Sequence, residues 1–317
     1  MAQIAQPPLP QFEVRLAAPD IGAWLAGNTG IRGFTTRASR QPGPHVAILG
    51  LTHGNEIGGA IVLDRMLRDG VTPTRGRLTF GFVDIAAFER FDPRQPTLSR
   101  FVDEDINRVW DEGVLDGPRR SVELDRAREI RPIIDTVDVL LDLHSMLWPS
   151  DPLILCGTTA NGRALARGIG TPELVVADNG HASGKRIIDY TRFASAGTNC
   201  VANLVEAGQH WQPETVATMA ASVAGLLHHT GITDAAPPAC PAPQRFAEVT
   251  AVVTAAHNAF AFVQPWRGGD VVPRRNTLLA LDGATEIRTP YDDCLLVMPS
   301  LRPSRGHTAV RLARLAA

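Results

Sequence analysis

Apolar residues along this chain fall into runs whose spacing sets the expected elements. Residues 45–51 (HVAILGL) are almost wholly apolar, the pattern of a strand covered on both faces. A polar turn, Thr52-His53-Gly54-Asn55-Glu56, follows, and apolar positions then recur at helical spacing over 56–68. Residues 76–85 predict a second central strand, rich in β-branched and aromatic side chains. Ser121 with Glu123 and Asp125 has the composition of a helix start, and that helix runs to about 133. Residues 137–143 form another nearly continuous apolar run, closing on Asp142-Leu143-His144-Ser145. Strands at 153–156, 173–177 and 199–205, with helices at 161–168 and 213–230, complete the alternation, and the 199–205 strand ends at Glu206. Edge strands are expected at 11–16 and 31–36, with a short helical piece at 21–26 between them.

Two stretches break this rhythm without forming elements of their own. Residues 89–118 and 180–197 read as long polar loops, and connections of that length inside a compact domain are usually functional. A Pro- and Ala-rich segment without periodicity, 232–244, marks a linker. Beyond it, short alternations at 246–254, 259–263, 277–281 and 294–298 predict a small β module. The chain therefore divides into a catalytic domain (1–231), the linker (232–244) and a β module (245–317).

Composition narrows the function class. With 44% apolar and 20% charged residues over 317 positions, the chain is that of a folded globular protein. A net charge of -2 gives no general pull towards nucleic acid or an anionic membrane. Cys156, Cys200, Cys240 and Cys294 are scattered, which fits reduced thiols in a cytoplasmic protein rather than a disulfide framework. The first residues lack the basic and apolar regions of a signal peptide, and no apolar run approaches the roughly 18 residues of a membrane helix. The sequence leaves a homo-oligomer open.

The chemistry starts at the turn after the first central strand. His53 and Glu56, three residues apart where a strand passes into a helix, can aim at one point on the carboxyl edge of a sheet. A catalytic zinc takes three protein ligands and leaves a fourth position open. Among the other histidines, His144 has the best context for the third ligand, at the end of an apolar strand. His45, His181, His210, His228, His229, His257 and His307 lack that context and read as structural or surface residues.

Four motifs, THGNE, SRFVDEDINRVW, LDLHS and LVEAG, occur in this order between Thr52 and Gly208. Together they resemble the succinylglutamate desuccinylase and aspartoacylase family, the deacylase branch of the zinc carboxypeptidase-like enzymes. The resemblance implies an α/β fold, with a zinc-carboxypeptidase-like mixed sheet flanked by helices and a small C-terminal all-β module beside the site. It implies one Zn2+ per chain on His53, Glu56 and His144. Arg100 matches the arginine that polarises the scissile carbonyl and stabilises the oxyanion, and Asp105 the carboxylate behind the first zinc histidine. Asn107 and Arg108 match the pair that binds a substrate carboxylate, and Glu206 matches the general base. The family's further substrate arginine and tyrosine align less well here. Arg192 with Tyr190 fits best from the loop before Glu206, because both lie near that strand in sequence, and Tyr291 is the tyrosine available in the β module.

These residues suit amide hydrolysis of a small carboxylate-bearing substrate, an N-acyl amino acid. Such a reaction needs a base for water, and a strand-end carboxylate that is partly buried has its pKa raised towards that role. It needs a donor for the oxyanion, and a guanidinium offers a planar fork for a carboxylate. A carboxypeptidase acting on short peptides would use the same ligands, and a non-catalytic metal- or ligand-binding protein would need only some of them.

Overall fold

The strands form where apolar runs permit burial on both faces, and the helices cover those faces. In the computed structural model, residues 11–181, 183–234, 236 and 243–316 are described. The first half contains β1 (Phe34–Ala38), β2 (His45–Gly50), α1 (Ile57–Arg68), β3 (Arg77–Phe82), α2 (Ile85–Phe88), α3 (Glu112–Leu115), α4 (Val122–Ile134) and β4 (Val139–Met146). Then come β5 (Leu153–Leu155), α5 (Ala160–Ile169), β6 (Leu174–Ala177), α6 (Thr191–Ala194), β7 (Val201–Gln209) and α7 (Pro213–Thr230). The remainder is β8 (Arg245–Thr254), β9 (Phe260–Phe262), β10 (Val271–Val272), β11 (Leu278–Asp282), β12 (Thr285–Arg288), β13 (Cys294–Val297) and β14 (Thr308–Leu315).

Eleven strands make one mixed sheet in the order β1-β3-β2-β4-β7-β5-β6-β8-β14-β13-β10. Its heart is parallel: β3, β2, β4 and β7 run side by side in one direction, while β1 runs against β3 and β5 against β7. Alternate side chains of β2 go to opposite faces. Val46 and Ile48 pack with Leu63 of α1 and Met219 of α7, whereas Ala47 and Leu49 pack with Leu124, Ala127 and Ile130 of α4. Each fully buried Val, Leu or Ile of this kind contributes about 1.5–3 kcal/mol relative to exposure, so the sheet centre is the stable frame on which the site stands.

Three expectations shift. Residues 11–16 form no strand; Phe12 packs its ring on Trp148 and Trp211, and the Arg15 amide donates to the Trp211 carbonyl. Strands β4 and β7 run further than their apolar runs, so His144 and Glu206 lie within paired strands rather than beyond their ends. The long loops at 89–118 and 180–197 contain short helical turns, at Ile106–Arg108 and α3 in the first and at Ile187–Asp189 and α6 in the second. Most of the expected linker, residues 235 and 237–242, lies outside the described residues. Just past it, β8 pairs with β6 and with β14, so the same sheet continues into the C-terminal part. Strands β9, β11 and β12 form a separate antiparallel sheet of three.

Candidate metal centre and active site

Four parallel strands ending at one edge bring their following residues together, and the cluster forms there. β2 leads into Leu51, which is wholly buried and takes a left-handed φ of 59°, a conformation costly for a branched side chain. The turn after it is tied down twice. Thr52 Oγ1 donates to Asp142 Oδ1 at 2.7 Å, and the Gly54 amide donates to the Arg100 carbonyl at 3.1 Å. Only glycine fits at 54, because a Cβ there would lie 2.4 Å from the Ala87 carbonyl carbon and the Phe88 nitrogen. Glu56 occupies the N-cap of α1 but makes no side-chain cap hydrogen bond. Its carboxylate turns to the histidines instead.

His53 Nδ1 lies 2.7 Å from Glu56 Oε1, and His144 Nδ1 lies 3.1 Å from Glu56 Oε2. One ligand atom from each of the three residues lies within 4.8 Å of the others, and all three side chains are buried. Behind them, His53 Nε2 is 2.9 Å from Asp105 Oδ1 and His144 Nε2 is 2.7 Å from Asp142 Oδ2. When each Nε2–H donates to its carboxylate, both Nδ1 lone pairs face the Glu56 oxygens with no proton between them. Three acceptors converging on one buried point need a cation, and two imidazoles with a carboxylate suit a borderline divalent metal. Positive charge is favoured at this point: burial pushes the Glu56 carboxyl up, yet the facing His53 and His144 hold it well below the usual carboxylate range. Burial likewise disfavours an imidazolium at His144, but Asp142 and Glu56 lift its pKa well above the ordinary value.

Arg100 reaches the same point from the 89–118 loop. Its guanidinium donates to Glu56 Oε1 at 3.2 Å and to Asp105 Oδ2 at 3.1 Å, and comes within 2.9 Å of His53 Nε2. His53 Nε2 cannot both donate to Asp105 and accept from Arg100, and the carboxylate is the stronger partner. The Arg100 side chain is 37% exposed, so a ligand can reach it. Glu206 sits directly across the β4–β7 ladder from His144. It is buried, and its Oε2 has no hydrogen-bond partner. Burial raises its pKa to about 8, against the pull of His144.

Asn107 and Arg108 lie next along the loop. Asn107 Oδ1 accepts from the Ile187 amide at 2.8 Å, joining this loop to the 180–197 loop. Arg108 is 3.7 Å from Asp105, and burial, together with Arg100, Arg186 and Arg311, brings its pKa down to about 10. The structure does not bring Arg192, Tyr190 or Tyr291 to this cluster. Arg192 Nε donates to the Val137 carbonyl, at the start of β4 and the opposite end from His144. Tyr190 donates to Asp135 at the C-terminus of α4 and accepts from Arg131. Tyr291 bonds with Thr250 and lies under the Arg314 guanidinium. Nearness to Glu206 in sequence misled because Arg192 and Tyr190 precede the start of β7, whereas Glu206 lies towards its finish.

Other groups gather here that sequence reasoning did not single out. Asp142 holds His144, and Ser145 links the cluster to His210: its amide donates to Glu56 Oε2 and its Oγ lies 2.6 Å from His210 Nδ1. Burial lowers the His210 pKa to about 4, leaving it neutral. Arg186 is buried against Asp178 and Asp189, and Nε of Arg311 in β14 lies 3.6 Å from Asp178, beyond hydrogen-bond reach. The motif LDLHS could have pointed to Asp142, two residues before a ligand on the same strand face. Nothing local marks Arg311, which reaches the site only through the sheet order.

The fold and cluster together define an α/β protein of the desuccinylase/aspartoacylase fold. Succinylglutamate desuccinylase from Vibrio cholerae superposes with a TM-score of 0.69 at 17% identity, over 90% of this chain and 86% of that one. The product-bound ectoine utilization protein EutE from Ruegeria pomeroyi gives 0.64 at 16% identity, over 88% of each chain. At the sequence level, residues 42–230 match the model of the succinylglutamate desuccinylase/aspartoacylase catalytic domain, and the chain belongs to that family. Aspartoacylase of Xenopus tropicalis is 32% identical over 121 residues, 35% of this chain and 37% of its own length. An N-acyl-aromatic-L-amino acid amidohydrolase of Danio rerio is 29% identical over 116 residues, 32% of each chain. The chain thus matches about a third of the length of these curated relatives.

Proposed function

We propose that this chain is a zinc-dependent deacylase that hydrolyses the amide bond of an N-acyl amino acid. One observation carries the reading: a buried His–Glu–His cluster beside a buried carboxylate, Glu206, that has a free oxygen on the neighbouring strand. His53, Glu56 and His144 would hold the ion, with Asp105 and Asp142 fixing the imidazole rings. Zinc bound there supplies Lewis acidity, polarising the scissile carbonyl and making water a stronger acid.

The chain's own groups divide the remaining work. Glu206 Oε2 takes a proton from the attacking water as the oxygen–carbon bond forms, then passes it to the amine nitrogen as the carbon–nitrogen bond breaks. A cation at the three ligands opposes the effect of burial and lowers the Glu206 pKa, favouring the basic form. Arg100 donates to the oxyanion as charge develops on it. Arg108, whose Nη1 donates to the Asn107 carbonyl and whose Nη2 lies 3.7 Å from Asp105, turns the rest of its fork to a substrate carboxylate.

The test is turnover of a panel of N-acyl amino acids and short peptides by zinc-loaded protein, with Glu206→Gln alongside. Wild type is expected to prefer acyl amino acids. The Gln variant should keep one zinc per chain by elemental analysis while kcat falls by about 10²–10⁴, the usual range for a general base. Retained turnover in Glu206→Gln, or activity that survives chelation, rejects the reading.

A further inference from the structure

Glu123 has no direct contact with the metal cluster, yet it governs the segment that does. It stands in the first turn of α4 and is wholly buried. No ion pair is recorded for it among the described residues. Its carboxylate instead accepts from three successive backbone amides of the 89–118 loop: Val102 at 2.5 Å, Asp103 at 3.1 Å and Glu104 at 3.1 Å. The loop answers in kind. Asp103 Oδ2 accepts from the Val122 amide at 2.9 Å, and Glu104 accepts from the hydroxyl of Ser121, which itself caps the Leu124 amide.

Successive N–H groups folded around one carboxylate satisfy it without a cation and fix the local backbone. The clasped residues, 102–104, are flanked by Arg100 and Asp105. Those two side chains meet at 3.1 Å, and between them they touch His53 and Glu56. The Arg100 carbonyl also accepts from Gly54 in the ligand turn. Movement of 102–104 therefore displaces both groups that back the first ligands.

We propose that Glu123 is a positioning residue whose carboxylate sets the Arg100 guanidinium at the metal cluster. The kinetic part of this proposal rests on the deacylase reading. Glutamine at 123 keeps the size but turns an NH2 towards amides that also donate, so at least one donor loses its acceptor and the segment shifts.

The experiment compares wild type with Glu123→Gln, Arg100→Ala and the double variant, and includes Asp103→Asn as a milder release of the same clasp. Kinetics are read on the best acyl amino acid, zinc content by elemental analysis, and the Arg100 Nε–H resonance by NMR. Glu123→Gln is expected to lower kcat by about 10–100-fold, the scale of an ångström-sized misplacement. KM should change by less than about threefold and zinc should be retained. In the Arg100→Ala background the same substitution should cost clearly less than in wild type, leaving only the part that acts through Asp105, because coupled residues are non-additive. The Arg100 resonance should move in Glu123→Gln and, less, in Asp103→Asn.

Full additivity with Arg100→Ala, or an Arg100 resonance that stays in place, overturns the proposal. If Glu123→Gln does not fold, Asp103→Asn alone decides, by the same resonance and the same cycle. Should wild type hydrolyse no acyl amino acid, the deacylase reading falls while the resonance still tests this one.

Discussion

Asp84 shows how a single buried carboxylate couples stability to pH. It caps α2 through Oδ1, which accepts from the Ala87 amide, while Oδ2 is buried without a partner. Burial, against that hydrogen bond, raises its pKa from 3.8 to about 6. Below about pH 4 folded and unfolded chains both keep the proton, and the group costs nothing. Between about 4 and 6 the unfolded chain ionises first, so stability falls as pH rises, by about 3 kcal/mol for a two-unit separation. Above about 6 the penalty is constant. Asp84→Asn keeps the cap acceptor and cannot ionise, so its Tm relative to wild type should climb from pH 4.5 to pH 8. Parallel Tm–pH curves for the two proteins would reject this account. The three clustered side chains were legible at this scale because His53, Glu56 and His144 each stand where an apolar run gives way to polar residues. Arg311 was not, since a guanidinium inside a strand looks like solvent-facing polarity until its neighbours are known.

Elements hold the site through close approach as much as through side chains. The turn after β2 can sit on α2 only because residue 54 lacks a Cβ. Gly54→Ala places a methyl against backbone that has no rotamer to yield, so the turn must move, at a cost of about 1–3 kcal/mol for overpacking. His53 directly precedes residue 54, so zinc affinity should fall with the Tm. A chelator competition titration with thermal melts checks both, and wild-type affinity in a folded Gly54→Ala protein would show that the turn tolerates the shift. The α/β alternation was readable up to α7, because continuous apolar runs and amphipathic helices differ in period. Strand β14 was missed: Arg311 interrupts its buried run, and Arg314 follows close behind. The extra length of β4 and β7 was missed because the buried His144, Ser145 and Glu206 read as polar turn residues, although their burial is what the site requires.

Across the whole molecule, the core ignores the composition break at 232–244. Leu295, Val297 and Ala313 belong to the same apolar cluster as Leu140 of β4 and Leu124 of α4. Ile232 is wholly buried on the other face, and Gln244 donates to the Ala166 and Pro172 carbonyls. A protein ending at residue 244 would expose the edge of β6 and lose Leu295, Val297 and Ala313 from the core. We expect it to be insoluble or to melt without cooperativity, while the full chain unfolds in one calorimetric transition. Two separated transitions, or a soluble, cooperatively folding 1–244 fragment, would assign the C-terminal strands to an independent unit.

The pairing of His144 with Glu206 across β4 and β7 has one further consequence. Their separation is set by the pairing of two neighbouring strands, whereas Arg108, Asn107 and Arg186 hang from loops. Loop exchange between relatives would then behave as a change of tooling on a fixed machine bed: what is gripped can be altered while the distance between the cutting parts stays as the frame sets it.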